Sequence, residues 1–209
     1  MFVITTDQVG SRRHGDRAAQ LVERLAAEYG DRLLLAPDQT AGDEVQLATD
    51  AARTALDVCL DLTRTGHWSV GIGIGEITTP LPDAARKAGG SAFVAAREAV
   101  DAAKRADGRV ALRSAGDDPD DALGAADVEA LLRLLVLNRA RRSDEGWEVV
   151  DLMRGGRTQQ QVAAQLAITP AAVSLRLKHA MWRADEAAQP AVARLLDGLD
   201  RNIGRGGRR

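Results

Sequence analysis

TQQQVAAQLAITPAAVSLRLKH, residues Thr158 to His179, decides how the C-terminal half of the chain folds. Val162, Ala163 and Leu166 fall on one face of a first helix, and Ile168 follows in a turn. Val173 and Leu177 continue the apolar face four apart on a second helix. Small Ala163 and Ala164 allow a close helix crossing. Thr169 stands at the N-cap position of the second helix, with Pro170 in its first turn. The turn carries Ala167 where glycine is usual. This spacing is that of a helix-turn-helix, whose second helix lies in the major groove of duplex DNA. Gln160, Thr169, Ser174, Arg176 and Lys178 are then the side chains offered to phosphates and bases. The other reading of the same residues is a plain pair of core helices.

Charge divides the chain unevenly around this stretch. Residues 1–121 hold 14 Lys+Arg against 20 Asp+Glu, a balance of −6; residues 122–209 hold 14 against 10, a balance of +4. Positive charge in the C-terminal half suits phosphate contact. Aromatic residues make up only 3% of the 209, which argues against stacking platforms for single strands. Cys59, the one cysteine, leaves no internal disulfide and no thiolate cluster. His14, His67 and His179 are too scattered to suggest a histidine metal site. With no run of 18 apolar residues and no charged-then-apolar leader, a cytoplasmic protein with no membrane contact is expected.

N-terminal to the motif, Gly116–Asp121 (GDDPDD) reads as a linker of turn residues and like charges. Before it, strand and helix patterns alternate. Strands are expected at Phe2–Thr6, Arg32–Ala36, Glu44–Ala48, Trp68–Ile74 and Arg109–Arg113. Helices are expected at Asp16–Tyr29, Ala51–Leu62 and Ser91–Ala106. The order β-α-β-β-α-β with a further α-β unit predicts a ferredoxin-like α+β sandwich with helices on one sheet face. The predicted organisation is an α+β domain over 1–115, a linker over 116–124, a small all-α helix-turn-helix domain over 125–203 and a disordered basic tail over 204–209, the loss of order beginning near Asn202. Helix Asp127–Arg141 is apolar on more than one face and is expected to pack against both domains or against a second copy of itself. Trp147 and Trp182 are expected to anchor the small helical core, and Cys59 to be a core thiol. The glycines of GIGIGE, residues 71–76, do not form a dinucleotide fingerprint; they are expected to let another backbone approach the strand.

Two carboxylates stand out by position. Asp7 closes the first strand, and Asp43 sits at the tip of the following hairpin. In a ferredoxin-like sheet those elements are neighbours, so the pair could hold Mg²⁺ with a nucleotide. Val9, Gly10 and Ser11, near a helix start, would offer amides to an anion. The alternative is that Asp7 caps a helix and Asp43 serves a turn.

The string Asp7-Gln8-Val9-Gly10-Ser11, with Gly42-Asp43, GIGIGEITT at 71–79 and GSAFVAAR at 90–97, resembles the catalytic domain of class III nucleotide cyclases over residues 2–114. Followed by a helix-turn-helix, it resembles the SatD family more closely still. The cyclase resemblance implies metal-holding roles for Asp7 and Asp43, a phosphate-contacting role for Arg97 and pairing of two copies. It also implies a base-reading Lys where this chain has Gln39 and a transition-state Asn where it has Phe93. Loss of one donor aimed at developing charge typically costs about 10²–10³ in rate, so an efficient cyclase is not expected. The Arg97 alternative is a helix-surface ion pair with Asp101. The leading expectation is a homodimeric DNA-binding transcriptional regulator whose cyclase-like domain senses a nucleotide. The alternatives are a divergent metal-dependent phosphoryl-transfer enzyme and a protein-interaction module without ligand.

Overall fold

The computed structural model describes residues 1–11, 17–40, 42–116 and 123–206, with residues 204–206 described as backbone only. His14, most of the expected linker and residues 207–209 lie outside the described residues. The fold is α+β. Strands β1 (Phe2–Gln8), β2 (Leu35–Gln39), β3 (Glu44–Thr49), β4 (Trp68–Ile74) and β5 (Val110–Ser114) form one mixed sheet in the order β2-β3-β1-β4-β5. β1 is central and antiparallel to both β3 and β4; β5 joins β4 in parallel. The helices are α1 (Ala18–Tyr29), α2 (Ala52–Arg64), α3 (Ser91–Ala103), α4 (Ala125–Ala140), α5 (Asp144–Arg154), α6 (Gln159–Gln165), α7 (Pro170–His179) and α8 (Trp182–Gly206).

Helices cover both sheet faces, not one. Phe2, Ile4, Val45, Leu47, Val70, Ile72 and Leu112 point into the larger core beneath α1 and α2. Val3 and Ala48 point the other way, where Ala92, Phe93 and Ala96 of α3 meet them. The second layer is possible because β4 is bare on that side. A Cβ on Gly73 would lie 2.2 Å from the backbone nitrogen of Ala96, and one on Gly71 would lie 2.2 Å from that of Val100. Alternate glycines thus form a trough for the alanine-rich face of α3, as the GIGIGE spacing suggested.

The β2 strand begins later than Arg32–Ala36. Residues Gly30–Arg32 continue α1 as a 3₁₀ turn, and the first ladder pair is Leu35 with Ala48. Pro37, which has no N–H to donate, is tolerated because β2 is an edge strand with a register irregularity there.

The hydrophobic cores do not divide where charge does. Ala125, Val128, Leu132 and Leu135 of α4, and Val192, Leu196 and Leu199 of α8, belong to the core of the sheet. Only α5, α6, α7 and the first turns of α8 build a separate cluster, around Trp147, Val150, Val162, Val173 and Leu177, with Trp182 packed against it. Asn202 is still within α8, whose backbone remains helical to Gly206 where a disordered tail was expected. The apolar spacing Val192, Leu196, Leu199 docks this helix on the sheet core and carries it past that point.

A buried ionic cluster joins the two cores. Asp185 of α8 is wholly buried, and its Oδ2 lies 3.1 Å from Arg142, 3.3 Å from Arg154 and 3.6 Å from Arg139. Gln189 donates to the same oxygen at 2.9 Å. The Arg64, Arg139 and Arg142 guanidiniums lie 4.0–5.2 Å from the Trp147 ring, and Arg64 reaches across from α2 to Asp151 of α5 with two hydrogen bonds.

Candidate functional site

Two surfaces collect the residues singled out by sequence. The first is the polar end of the sheet under α3. Asp7 and Glu44 are register partners on β1 and β3, with Thr5 and Gln46 as the next pair on the same face. The structure brings Glu44, rather than Asp43, into the centre of this group. Its Oε1 accepts from Thr40 Oγ1 at 2.8 Å, Gln46 Nε2 at 3.1 Å and Arg97 Nη2 at 3.0 Å. Lys104, just past α3, lies 3.1 Å from Asp7 and 3.1 Å from Asp101. Burial lowers the Lys104 pKa, but hydrogen bonds to Asp7 and Asp101 outweigh it, and the net shift is upward. Arg97 therefore pairs with Glu44 across the sheet, and Asp101 takes Lys104 instead.

Asp7 is inside β1 and caps no helix. Asp43 sits half-buried in the turn after Gly42, whose φ is +65°. Among the described residues, no three potential ligands come together as a metal site. The Glu44 Oε1 already accepts three hydrogen bonds, and Asp7 faces an ammonium. This donor set fits ion pairs better than Mg²⁺. Gly10 is exposed with φ +67°, and Ser11 is half-buried beside it. The Val9 amide is occupied by the His67 carbonyl at 2.8 Å, so the expected row of free amides is shortened.

What remains open on this side is a cleft of about 500 Å³ bounded by Thr40, Gln46, Arg86, Phe93, Arg97 and Asp101. Arg97 is 59% exposed there, so its guanidinium faces both Glu44 and the solvent-filled space.

The second surface belongs to α6 and α7. Thr158 caps α6 in a reciprocal pair with Gln161, and Thr169 caps α7 by accepting from the Ala172 amide at 3.1 Å. The connecting turn places Ala167 at φ +53°, the left-handed conformation that glycine adopts without cost. Val162, Ala163, Val173 and Leu177 are buried together, so α7 turns its opposite face outward. Ala171, Ser174, Leu175 and Lys178 are exposed at spacings of three and four. Gln160 is exposed on the first turn of α6.

Two of the five predicted contacts have other employment. The Thr169 hydroxyl is the helix cap, and Arg176 lies to one side, 3.2 Å from Glu148 of α5. Sequence reasoning missed Leu175, which is 53% exposed at the middle of the outward face. It also missed Arg183, which with Gln159, Ser174 and Lys178 rims a cleft of about 550 Å³ floored by Leu177 and Trp182. The helical period from Lys178 would have found Leu175; nothing local marks Arg183, which arrives from the next helix. Residues 144–186, which make up this small unit, hold 5 Lys+Arg and 6 Asp+Glu, so its positive charge is concentrated on particular side chains such as Lys178 and Arg183.

Among the described residues, no helix is long and apolar enough to cross a membrane. Compared with protein-family models, curated proteins and solved structures, the chain matches none of them.

Proposed function

We propose that the protein is a DNA-binding transcriptional regulator, with α6 and α7 as a helix-turn-helix and α7 as the recognition helix. The observation that carries this reading is the outward face of α7. It is a capped helix held by its buried side on α5 and α6, and it presents Ser174, Leu175 and Lys178 in one row. Ser174 suits a phosphate or base edge, Leu175 a thymine methyl, and Lys178 with Arg183 the backbone charge. The balance of +4 over residues 122–209 favours phosphate contact.

Fluorescence anisotropy with a labelled random-sequence 30-base-pair duplex tests it. Binding is expected to weaken with salt, and Lys178→Ala with Arg183→Ala to flatten the log–log salt slope by roughly 2. A slope and affinity unchanged in that double variant refute the assignment of α7.

The sheet unit is read as a ferredoxin-like, cyclase-like sensor domain. The strand order β2-β3-β1-β4 with antiparallel neighbours supports that topology. Arg97 at the mouth of the roughly 500 Å³ cleft supports a phosphate-bearing ligand such as a nucleotide. ATP or GTP at 100 times its Kd stabilises the fold by about 2.7 kcal/mol, visible as a rise in melting temperature. That rise is expected to vanish in Arg97→Ala. No rise with any nucleotide, with or without Mg²⁺, refutes the sensor reading and leaves an assembly domain. Turnover of ATP or GTP that is lost in Asp43→Ala favours the enzyme reading instead.

A further inference from the structure

Helix α4 buries Val128, Leu132, Leu135 and Val136 in the sheet core. Its other side is also apolar. Leu131 is 44%, Leu134 66% and Leu137 36% exposed. These are three of the seven large apolar side chains exposed among the described residues, and they form one stripe on one helix. The stripe has an internal symmetry. At about 100° per residue, Leu131 and Leu137 lie roughly 60° to either side of Leu134. Ala130 and Asn138 lie roughly 40° to either side, and Asp127 and Arg141 about 20°. Reversing the helix end for end about Leu134 therefore lays apolar on apolar and acid on base.

We infer that a second copy of this chain docks on α4 through an isologous, antiparallel helix pair with Leu134 on the two-fold axis. Leu131 packs against the partner's Leu137, and Asp127 meets the partner's Arg141. A face that is its own complement under reversal is what a two-fold contact requires. Charge specifies the orientation. A parallel pair would set Asp127 beside the partner's Asp127 and Arg141 beside the partner's Arg141, both repulsive. Asp127 accepts the Gly124 amide at 3.0 Å through one carboxylate oxygen. In the proposed pair its other oxygen meets the partner's Arg141. The groove under α3 lies on the opposite sheet face, so the contact leaves Arg97 uncovered. One helix pair is small beside the roughly 1,200–2,000 Å² of a standard interface, so a weak, concentration-dependent association is expected. The inference stands apart from the DNA-binding reading and is read out without DNA.

Sedimentation equilibrium of the full chain from about 5 to 200 µM tests it. The mass is expected to rise from 22.2 kDa toward twice that value. Leu134→Glu is expected to weaken association at least about 100-fold while far-UV dichroism and melting stay unchanged. Arg141→Asp weakens it less, and Asp127→Arg with Arg141→Asp restores it. Leu134→Cys is expected to cross-link to itself on mild oxidation, since Cys59 is fully buried. Asp127→Cys is not, because its symmetry mate lies about 21 Å away at 1.5 Å per residue. A mass that stays at 22.2 kDa, a dimer that survives Leu134→Glu, or equal cross-linking by both cysteine variants overturns the inference.

Discussion

Replacing Asp185 by Asn is expected to destabilise the fold more than any other single change of one polar atom. Asp185, Arg142 and Arg139 have side-chain exposures of 0%, 1% and 6%, so water screens none of them. Two buried guanidiniums face one carboxylate, and positive charge is already in excess. The pairing is also imperfect. Asp185 Oδ1 and Arg139 Nε lack hydrogen-bond partners, and the Arg142 contact at 3.1 Å is misaligned as a hydrogen bond. Burial first, with the neighbouring Arg154, Arg142 and Arg64 charges, brings the Arg139 pKa down to about 10 against the opposing effect of Asp185. Removing the one anion leaves both cations uncompensated. Breaking a buried pair from one side costs about 3–5 kcal/mol. With a urea slope of about 2 kcal/mol/M, the midpoint falls by roughly 1.5–2.5 M. Urea denaturation followed by Trp147 and Trp182 fluorescence reads it. A loss below about 1 kcal/mol would mean that the cluster is hydrated, and would refute the reasoning. Because Asp185 is on α8 and its arginines come from α4, α5 and the segment between them, the same variant should loosen the α5–α7 unit from the sheet.

Three further outcomes follow from single residues. Gly73→Ala places a Cβ 2.2–2.3 Å from the α3 backbone, so α3 must move off the sheet, at a cost of at least about 2 kcal/mol in chemical denaturation. Ala167→Gly relieves a left-handed alanine and is expected to stabilise by about 0.5–1 kcal/mol, because the relief of roughly 1–2 exceeds the added unfolded-chain entropy. Complete burial raises the Cys59 thiol from 9.0 to about 12, Arg139 opposing weakly. The unfolded thiol ionises first, so this contribution is intact below pH 9.0 and is lost as pH rises toward about 12. Denaturation midpoints between pH 8 and 11 are expected to fall less steeply in Cys59→Ala; equal slopes would mean that Cys59 ionises freely in the fold.

Much of this molecule can be read from local pattern. Thr169-Pro170 marks the start of α7, and the four-residue interval between Val173 and Leu177 marks its buried side. Ala167 stands where a positive φ is needed, although it is not a glycine. GIGIG announces a strand against which a backbone packs closely, and Cys59 beside Leu60 announces a core thiol. These signals are short-range. A cap, a turn or a period involves residues within one or two helical turns, and its physics is complete within the segment.

Tertiary structure decided which of two carboxylates stands at the centre of the sheet-end cluster. Asp43 and Glu44 are adjacent in sequence, and the ladder register, not composition, sets Glu44 opposite Asp7 and under Arg97. It also decided the employment of Arg176, which meets Glu148 from another helix, and the coverage of the second sheet face by α3. The same holds for α4, whose mixed apolar faces permit several partners until β5 and α8 take one of them. Side-chain type and spacing limit what a segment presents. Which presented group meets which depends on long-range packing, where a one-residue change of register exchanges the two faces of a strand.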